Sequence, residues 1–169
     1  MKSCLIGYSG LIGTTLRKSH NFIDMYRKST IHEIKNKVFD LVICAGAPAE
    51  KWRANLNPLE DEKNIDFLIY NLNNIKAKKF VLISTVDVFE NPNDVYEHSI
   101  VTKSSNNPYG SNRRKLELYI MRKFKSHIVI RLPALVGNGL KKNALFDIKN
   151  KHRIKLIDSR NIYQFYPLK

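Results

Sequence analysis

A chain of 169 residues can bury one hydrophobic core but is short for two full domains, so its length predicts a single domain. Its 43% hydrophobic and 26% charged residues are typical of a soluble globular protein. No apolar run approaches the roughly 20 residues that cross a bilayer, and the first ten residues lack the pattern of a secretion signal. A membrane protein is therefore not expected, and the cytoplasm is the predicted location.

The net charge of +14 is the most unusual bulk property and favours an anionic partner. Nucleotide phosphates fit such a field, and so does nucleic acid, although no aromatic and basic recognition motif supports the latter. A compositional bias toward Lys, Asn and Ile, with lysines scattered over a solvated surface, explains the charge equally well. Cys4 and Cys44 lie in apolar runs and are expected to be buried thiols, with no disulfide and no metal site.

Strand and helix patterns alternate along the chain. Runs of apolar and β-branched residues predict strands, and apolar residues at helical spacing predict helices. The predicted strands cover residues 3–8, 21–26, 38–48, 79–88 and 127–137, and the predicted helices cover 11–20, 61–75 and 111–124. Beyond these, a helix is predicted at 140–149, a strand at 154–157, and an aromatic terminus at Tyr163, Phe165 and Tyr166.

This order predicts an α/β fold with a doubly wound parallel sheet, which is Rossmann-like and has three αβα layers. The whole chain, 1–169, is expected to form one domain of this kind. The polar loop at 90–108 is long for a compact domain, and such loops are more often functional than idle.

Three glycines at three-residue intervals, Gly7, Gly10 and Gly13, follow the first predicted strand and open the first predicted helix. Such a turn binds a diphosphate because a side chain would collide with it, while free N–H groups at a helix N-terminus attract its charge. The alternative is a tight packing turn without a ligand. The loop residues predicted to contact a cofactor are Gly7, Ser9, Gly10, Leu11, Ile12 and Gly13.

Arg27 and Lys28 follow the second predicted strand, where an acidic residue would favour NAD. Asp24 falls earlier, inside the strand pattern. Cations at the strand end suit the 2′-phosphate of NADP, so NADP is favoured over NAD. The competing interpretation is that both are ordinary surface residues.

Six segments together resemble the extended short-chain dehydrogenase/reductase family. They are the glycine turn at 7–13, CAGAPA at 44–49, Asn64, LISTVDVF at 82–89, YGSNR at 109–113 and RLPALVG at 131–137. The resemblance extends to about Gly139 and is strongest to the NAD-dependent epimerase/dehydratase and dTDP-4-dehydrorhamnose reductase-like branches, which act on nucleotide sugars. It implies cofactor contacts at Ala45, Gly46, Ala47, Asn64 and Pro133, and a dimer formed through helices. Members of this family add a C-terminal portion that binds the nucleotide sugar. The resemblance therefore implies one NAD(P)-binding domain over residues 1–169 with little or no separate substrate domain, in which the tail from about residue 140 is a truncated remnant of that portion.

The resemblance also implies a catalytic group at Ser84, Thr85, Tyr109 and Arg113. Thr85, supported by Ser84, would bind the substrate oxygen, and Tyr109, which follows Thr85 by 24 residues, would be the acid/base. The family has lysine four residues after the tyrosine, where this chain has Arg113. Because a tyrosine needs a nearby cation to ionise near neutral pH, the substitution matters.

Three interpretations of this substitution stay open. Arg113 could supply the charge that lowers the tyrosine pKa and could hold the cofactor ribose, although a guanidinium cannot relay a proton. Lys115 could replace the family lysine, or activity could be weakened or lost. The leading hypothesis is an NAD(P)-dependent oxidoreductase or epimerase-like enzyme acting on a nucleotide sugar, and the alternative is a dinucleotide-binding module without turnover.

Overall fold

The computed structural model describes residues 1–140, 143–152, 154–158, 160 and 164–168. The chain divides into two compact units, Met1–Arg131 and Leu132–Lys169. The division lies somewhat before residue 140, where the sequence analysis places the start of the tail. That all 169 residues act as one dinucleotide-binding domain stays a prediction.

The secondary structure alternates between strands and helices. The strands are β1 (Ser3–Ile6), β2 (Asp24–Tyr26), β3 (Val38–Cys44), β4 (Lys76–Thr85), β5 (His127–Leu132), β6 (Ala134–Val136) and β7 (Phe165–Pro167). The helices are α1 (Leu11–Ser19), α2 (Lys51–Leu56), α3 (Pro58–Leu72), α4 (Pro108–Lys123) and α5 (Ala144–Lys149). Short 3₁₀ turns occupy Ile31–Ile34, Val86–Val88 and Ile154–Leu156.

Five strands form the main sheet in the order β2-β1-β3-β4-β5. β1 pairs in parallel with β2 and with β3, and β3 pairs in parallel with β4. Because sequential strands extend to both sides of β1, the chain reverses its direction of winding there, which creates a crevice beyond the carboxyl ends of β1 and β3. The predicted Rossmann-like α/β fold is confirmed.

The main core lies between this sheet and helices α3 and α4. Their apolar faces contribute Ile65, Leu68, Leu72, Leu116 and Ile120, all less than 5% exposed. Cys4 and Cys44 are buried in the same core as free thiols, as expected. The opposite face of β1 is also covered, because Leu5 points away from Cys4 and Ile6 and is still fully buried.

Several predicted strands are shorter than expected. β1 stops at Ile6 because Gly7 adopts a positive φ of 85°, which no strand accommodates. β2 is only three residues long, and β3 stops at Cys44 rather than at residue 48. Helix α3 begins at Pro58, three residues before the predicted start, because proline suits the first turn of a helix. The helix α2 was not predicted.

The predicted strand at 127–137 is wrong, because it is two strands in two sheets. Pro133 has no N–H to donate to a ladder and separates β5 from β6, which pairs in parallel with β7 in the second unit. The strand predicted at 154–157 is also wrong, since Ile154–Leu156 is a 3₁₀ turn. Helix α5 begins at Ala144, where the side chain of Asn143 caps it by accepting from the Phe146 N–H. Tyr163 lies outside the described residues.

Candidate functional site

The glycine loop joins β1 to α1, and a hydrogen bond from the Gly10 N–H to the Gly7 carbonyl at 3.1 Å closes it. Gly7 donates its N–H to the carbonyl of Tyr26 at 2.7 Å, and its positive φ turns the chain back toward the helix. A methyl group at Gly7 would collide with the backbone of Ala45, and one at Gly13 would collide with the carbonyl of Gly7. These two glycines are therefore required by the fold itself.

Gly10 differs from its two neighbours because a methyl group there would meet only the Gly7 carbonyl oxygen, at 3.5 Å. It is exposed and precedes the first turn of α1, whose amides at Leu11 and Ile12 have no side-chain cap. The open space above Gly10 and these uncapped amides together form the kind of cradle that accepts a diphosphate. The residues present therefore fit the phosphates of a dinucleotide.

A cleft of about 610 Å³ opens beside the glycine loop. It is lined by Ser9, Arg27, Lys28, Ser29, Lys63, Asn64 and Phe67, which come from the loop, from the chain after β2 and from α3. The Lys28 ammonium donates to the Asn64 side-chain oxygen at 2.6 Å. The fold thus brings together four predicted cofactor residues, Ser9, Arg27, Lys28 and Asn64, and adds a third cation at Lys63.

The segment after β3 lies directly beside the glycine loop. Ala45 donates its N–H to the Ile6 carbonyl at 2.8 Å, which continues the β1–β3 pairing one step beyond the strand. Gly46 and Ala47 follow, both half-buried. A smaller cavity of about 190 Å³ lies next to this segment, and Lys28 and Asn64 line it as well as the larger cleft. Residues 45–47, which are predicted to contact the cofactor, therefore lie at the same edge of the sheet as the glycine loop.

Thr85 and Tyr109 meet at the carboxyl end of β4. Thr85 caps the 3₁₀ turn at Val86–Val88 by accepting from the Asp87 N–H at 3.2 Å. Tyr109 is in the first turn of α4, which Asn107 caps by accepting from the Gly110 N–H at 2.8 Å. A methyl group at Gly110 would collide with the Asp87 carbonyl, so glycine lets the helix approach the turn closely. The Thr85 side chain thereby lies close enough to the phenol of Tyr109 to lower its pKa.

Arg113 lies one helical turn after Tyr109, but its guanidinium is held by other groups. It forms a bidentate ion pair with Asp61 of α3, with one distance at 2.9 Å, and it also donates to the carbonyls of Pro48 and Tyr109. Arg113 and Asp61 are 3% and 4% exposed. The guanidinium carbon lies 4.0 Å from the centre of the Tyr109 ring, so the cation contacts the ring face.

The terminal N–H groups of Arg113 are therefore directed at protein oxygens, and only its Nε is buried without a hydrogen-bond partner. This differs from the expectation that Arg113 holds the cofactor ribose. Lys115, the other cation considered, pairs with Glu62 at 3.0 Å and Asp66 at 2.6 Å on α3. Both of its partners are surface carboxylates, and neither contact involves Tyr109.

The pKa of Tyr109 is raised above its ordinary value, first because burial disfavours the phenolate. The Arg113 charge and the Thr85 hydrogen bond lower this pKa, whereas the charges of Asp87 and Asp61 raise it. The cation expected to activate Tyr109 thus acts in the expected direction but does not overcome burial. At neutral pH the phenol keeps its proton and can act as a donor.

Ser84 points to the side of β4 opposite to Thr85, as neighbours on a strand do. Its hydroxyl donates to Glu117 at 2.6 Å. Glu117 is fully buried and also pairs with Arg114 at 2.9 Å and with Arg131 at 3.0 Å. Ser84 therefore belongs to a polar cluster that joins β4, α4 and β5, which differs from its expected role beside Thr85.

Three charged residues near Tyr109 were not among the predicted site residues, namely Lys51, Asp87 and Asp61. Lys51 of α2 pairs with Asp87 at 2.5 Å, and Asp61 pairs with Arg113. The signal for Asp61 was its position in the first turn of a helix, which also suits a residue that only stabilises the helix dipole.

Pro133 belongs to the second unit, and its predicted cofactor contact stays a prediction.

The sequence matches no protein-family model and no curated protein. Solved structures do match it. The dTDP-4-dehydrorhamnose reductase of Bacillus anthracis, in complex with NADP, has a TM-score of 0.65 at 18% identity, over 88% of this chain and 59% of that chain. The UDP-N-acetylglucosamine 4-epimerase of Methanobrevibacter ruminantium, in complex with UDP-N-acetylmuramic acid, has a TM-score of 0.71 at 17% identity, over 99% and 69%.

The chain has the fold of these sugar-nucleotide reductases and epimerases. The Bordetella bronchiseptica enzyme WbmG, in complex with NAD and UDP, also matches, with a TM-score of 0.71 at 13% identity over 99% of this chain and 65% of that one. The chain spans about three fifths of the length of the reductases that it matches. Within the described part of the chain, no helix has the length and apolar character needed to cross a bilayer.

Proposed function

We propose that the chain is an NAD(P)-dependent oxidoreductase or epimerase-like enzyme that acts on a nucleotide sugar. The observation that carries the proposal is the convergence of three parts at one edge of the sheet. The glycine loop follows β1, the 45–47 segment follows β3, and the Thr85–Tyr109 contact follows β4. Adjacent parallel strands end at the same edge, so a ligand bound by the loop would extend toward the phenol.

The fit of the glycine loop supports a dinucleotide as the cofactor. Gly10 and the amides of α1 would hold the diphosphate, and the 610 Å³ cleft would hold the adenosine half. Arg27, Lys28 and Lys63 line that cleft, and three cations around one ribose suit an additional phosphate. NADP is therefore favoured over NAD.

A bound nicotinamide ring would supply the hydride acceptor or donor, and the chain would supply the proton. Tyr109 would be the proton donor, since a phenol keeps its proton at neutral pH and burial raises the pKa of this one further. This protonation state favours reduction of a carbonyl, in which a developing alkoxide needs a proton. Thr85 lies beside the phenol and would bind the same substrate oxygen.

The nucleotide-sugar substrate is proposed from the proteins that share the fold. Two of them are named for nucleotide sugars, and one was crystallised with NAD and UDP. A diphosphate-linked sugar is also anionic and suits a chain with a net charge of +14. A dimer formed through helices and a cytoplasmic location remain part of the same proposal.

The second candidate is a dinucleotide-binding module without turnover. The state of Arg113 favours it, because the terminal N–H groups of this residue are directed at Asp61 and at two carbonyl oxygens. A cation held in this way does not have the donors that a ribose would require. Cofactor binding with no turnover is the outcome that this candidate predicts.

The two candidates separate in one experiment with Tyr109→Phe. NADPH binding is followed by nicotinamide fluorescence, and turnover is followed as NADPH oxidation with a panel of dTDP- and UDP-4-keto sugars. The enzyme proposal predicts that the variant binds NADPH as the unaltered protein does and loses turnover by at least about 100-fold. Equal turnover in both proteins would reject Tyr109 as the acid. NADPH binding with no turnover by the unaltered protein would favour the binding module.

A further inference from the structure

The ion pair between Lys51 and Asp87, next to Thr85, has no role in the function proposed so far. The Lys51 ammonium lies 2.5 Å from Oδ1 of Asp87. The Lys51 side chain is 52% exposed and that of Asp87 is 23% exposed, so the pair reaches from solvent to the edge of the buried site. Lys51 comes from α2 and Asp87 from the 3₁₀ turn after β4.

Asp87 is connected inward to Thr85 by two hydrogen bonds. The Thr85 hydroxyl donates to Oδ2 of Asp87 at 3.2 Å, and the Asp87 N–H donates to the Thr85 oxygen at 3.2 Å. Thr85 in turn lies next to the phenol of Tyr109, which is 8% exposed, and lowers the pKa of that phenol. Direct contacts join Lys51 to Asp87 and Asp87 to Thr85, so these three side chains lie in series between solvent and Tyr109.

Arg113 cannot provide such a series. A guanidinium stays protonated at any relevant pH, so it neither gives nor takes a proton. Its one N–H without a partner is buried, and its ion pair with Asp61 is almost completely excluded from solvent. The charged groups that act on the phenol are thus Arg113, Asp87 and Asp61, and among them only Asp87 is bonded onward to a solvent-exposed lysine.

We propose that Lys51 and Asp87, acting through Thr85, form the proton path that connects the phenol of Tyr109 with solvent. The inference rests on the proposed function, because a proton path matters only if Tyr109 gives up its proton. Lys51 and Asp87 act through other residues and are positioning residues. They perform the task for which the Arg113 guanidinium is unsuited.

The protons balance along the path. After Tyr109 gives its proton to the substrate oxygen, the phenolate oxygen takes the hydroxyl proton of Thr85. The Thr85 oxygen takes a proton through the Asp87 carboxylate from the Lys51 ammonium, and Lys51 takes one from water. Each step breaks one O–H or N–H bond and forms another, so one proton moves from solvent to Tyr109 and no electrons are exchanged.

The test uses the full-length protein with ¹³C-labelled tyrosine Cζ atoms, and the loss of one signal in Tyr109→Phe assigns Tyr109. Two quantities are measured from its signal: the pKa of the phenol, and the rate of hydroxyl exchange with solvent from the isotope shift in mixed H₂O and D₂O. The variants are Asp87→Asn and Lys51→Met. The matched controls are Asp40→Asn and Lys78→Met, which alter an exposed ion pair of 2.7 Å near the opposite ends of β3 and β4.

The path predicts opposite pKa shifts and a shared kinetic effect. Asp87→Asn removes a negative charge and lowers the pKa of Tyr109 by about one unit, whereas Lys51→Met exposes that charge and raises the pKa by a similar amount. Both variants slow hydroxyl exchange by about tenfold or more. The two control variants leave both quantities at the values of the unaltered protein.

NADPH titration of the same proteins distinguishes failure of this inference from failure of the proposed function on which it rests. If the unaltered protein binds NADPH and neither Asp87→Asn nor Lys51→Met changes the pKa or the exchange rate beyond the controls, the proton path is wrong and the proposed function stands. If the unaltered protein does not bind NADPH, the proposed function fails and the path fails with it. Opposite pKa shifts, slowed exchange and retained NADPH binding support both.

Discussion

Arg113 and Asp61 form an ion pair buried between α4 and α3, with the guanidinium packed on the ring of Tyr109. Asn112 donates a further hydrogen bond to the same carboxylate at 2.8 Å. The pair fixes the first turn of α3 against the second turn of α4 and thereby fixes the position of Tyr109. Arginine at this position thus has a structural task that a lysine, with a single ammonium group, could not perform in the same way.

Breaking this pair should destabilise the protein strongly. Arg113→Ala leaves the Asp61 carboxylate buried without its partner, so the free energy of unfolding should fall by about 3–5 kcal/mol. Urea denaturation of the variant measures the loss. The double variant Asp61→Leu with Arg113→Met removes both charges and should be much closer to the unaltered protein. A loss below about 1 kcal/mol for Arg113→Ala would show that the pair contributes no more than a surface ion pair.

Removal of the adjacent hydroxyl groups of Ser84 and Thr85 should affect two different properties, stability for Ser84 and turnover for Thr85. Ser84→Ala breaks a hydrogen bond to the buried Glu117 and should lower the free energy of unfolding by about 1.5–3 kcal/mol. It should leave turnover unchanged, because Ser84 faces away from Tyr109. Thr85→Val keeps the shape of the side chain and should lower turnover.

Paired urea denaturation and NADPH-oxidation assays on the two variants check this separation. If Ser84→Ala lowers turnover as much as Thr85→Val does, both hydroxyls act on the substrate, as first expected from the sequence.

The glycine turn shows what the sequence could predict. Its spacing predicts a nucleotide loop, but the spacing does not separate the glycines by role. Gly7 is required by its close approach to the backbone of Ala45 and Gly13 by its approach to the carbonyl of Gly7, whereas no such approach requires Gly10. That distinction depends on how closely β3 and α1 approach the loop, which is a tertiary property.

The surroundings of the residues that we propose to be catalytic were predicted less completely for a similar reason. The four-residue spacing correctly places Arg113 on the face of α4 that carries Tyr109. The spacing cannot show that Asp61, which is distant in sequence, forms an ion pair with the guanidinium. The interruption at Pro133 was visible in the sequence, yet the apolar pattern on both sides of it outweighed the missing N–H donor.

The buried thiols predict a loss of stability at alkaline pH. Burial raises the pKa of the Cys44 thiol to about 11 and raises that of Cys4 as well. Because the folded-state values exceed the unfolded ones, the stabilisation is complete below about pH 9 and decreases as the pH rises toward 11. Each thiol contributes a slope of up to about 1.4 kcal/mol per pH unit.

Urea denaturation at pH 8 to 11 measures this slope. Cys44→Ala should be less stable at pH 8 because it leaves a cavity, and its stability should fall less steeply with pH. An identical slope in the two proteins would show that the Cys44 thiol is not the titrating group.

Arg27 should determine which dinucleotide is preferred. Arg27→Asp places a carboxylate in the basic cleft, where it repels a 2′-phosphate and accepts hydrogen bonds from a 2′-hydroxyl. NADPH binding should weaken by about tenfold or more relative to NADH, a change of roughly 1.4 kcal/mol. Fluorescence titrations with both cofactors measure the ratio, and Lys18→Asp, a change of the same kind in the last turn of α1, is the control. A ratio that Arg27→Asp leaves unchanged would contradict the NADP preference.

The most direct test of the account is a fluorescence titration with NADPH of the unaltered protein, Gly10→Ala and Gly13→Ala. The account predicts binding below millimolar concentration by the unaltered protein. Gly10→Ala should keep its stability to within about 1 kcal/mol and lose most of the binding, because its methyl group enters only the space assigned to the diphosphate. Gly13→Ala should be destabilised, because its methyl group collides with the Gly7 carbonyl. Absence of NADPH and NADH binding by the stable, unaltered protein, or unchanged binding by Gly10→Ala, would contradict the dinucleotide site.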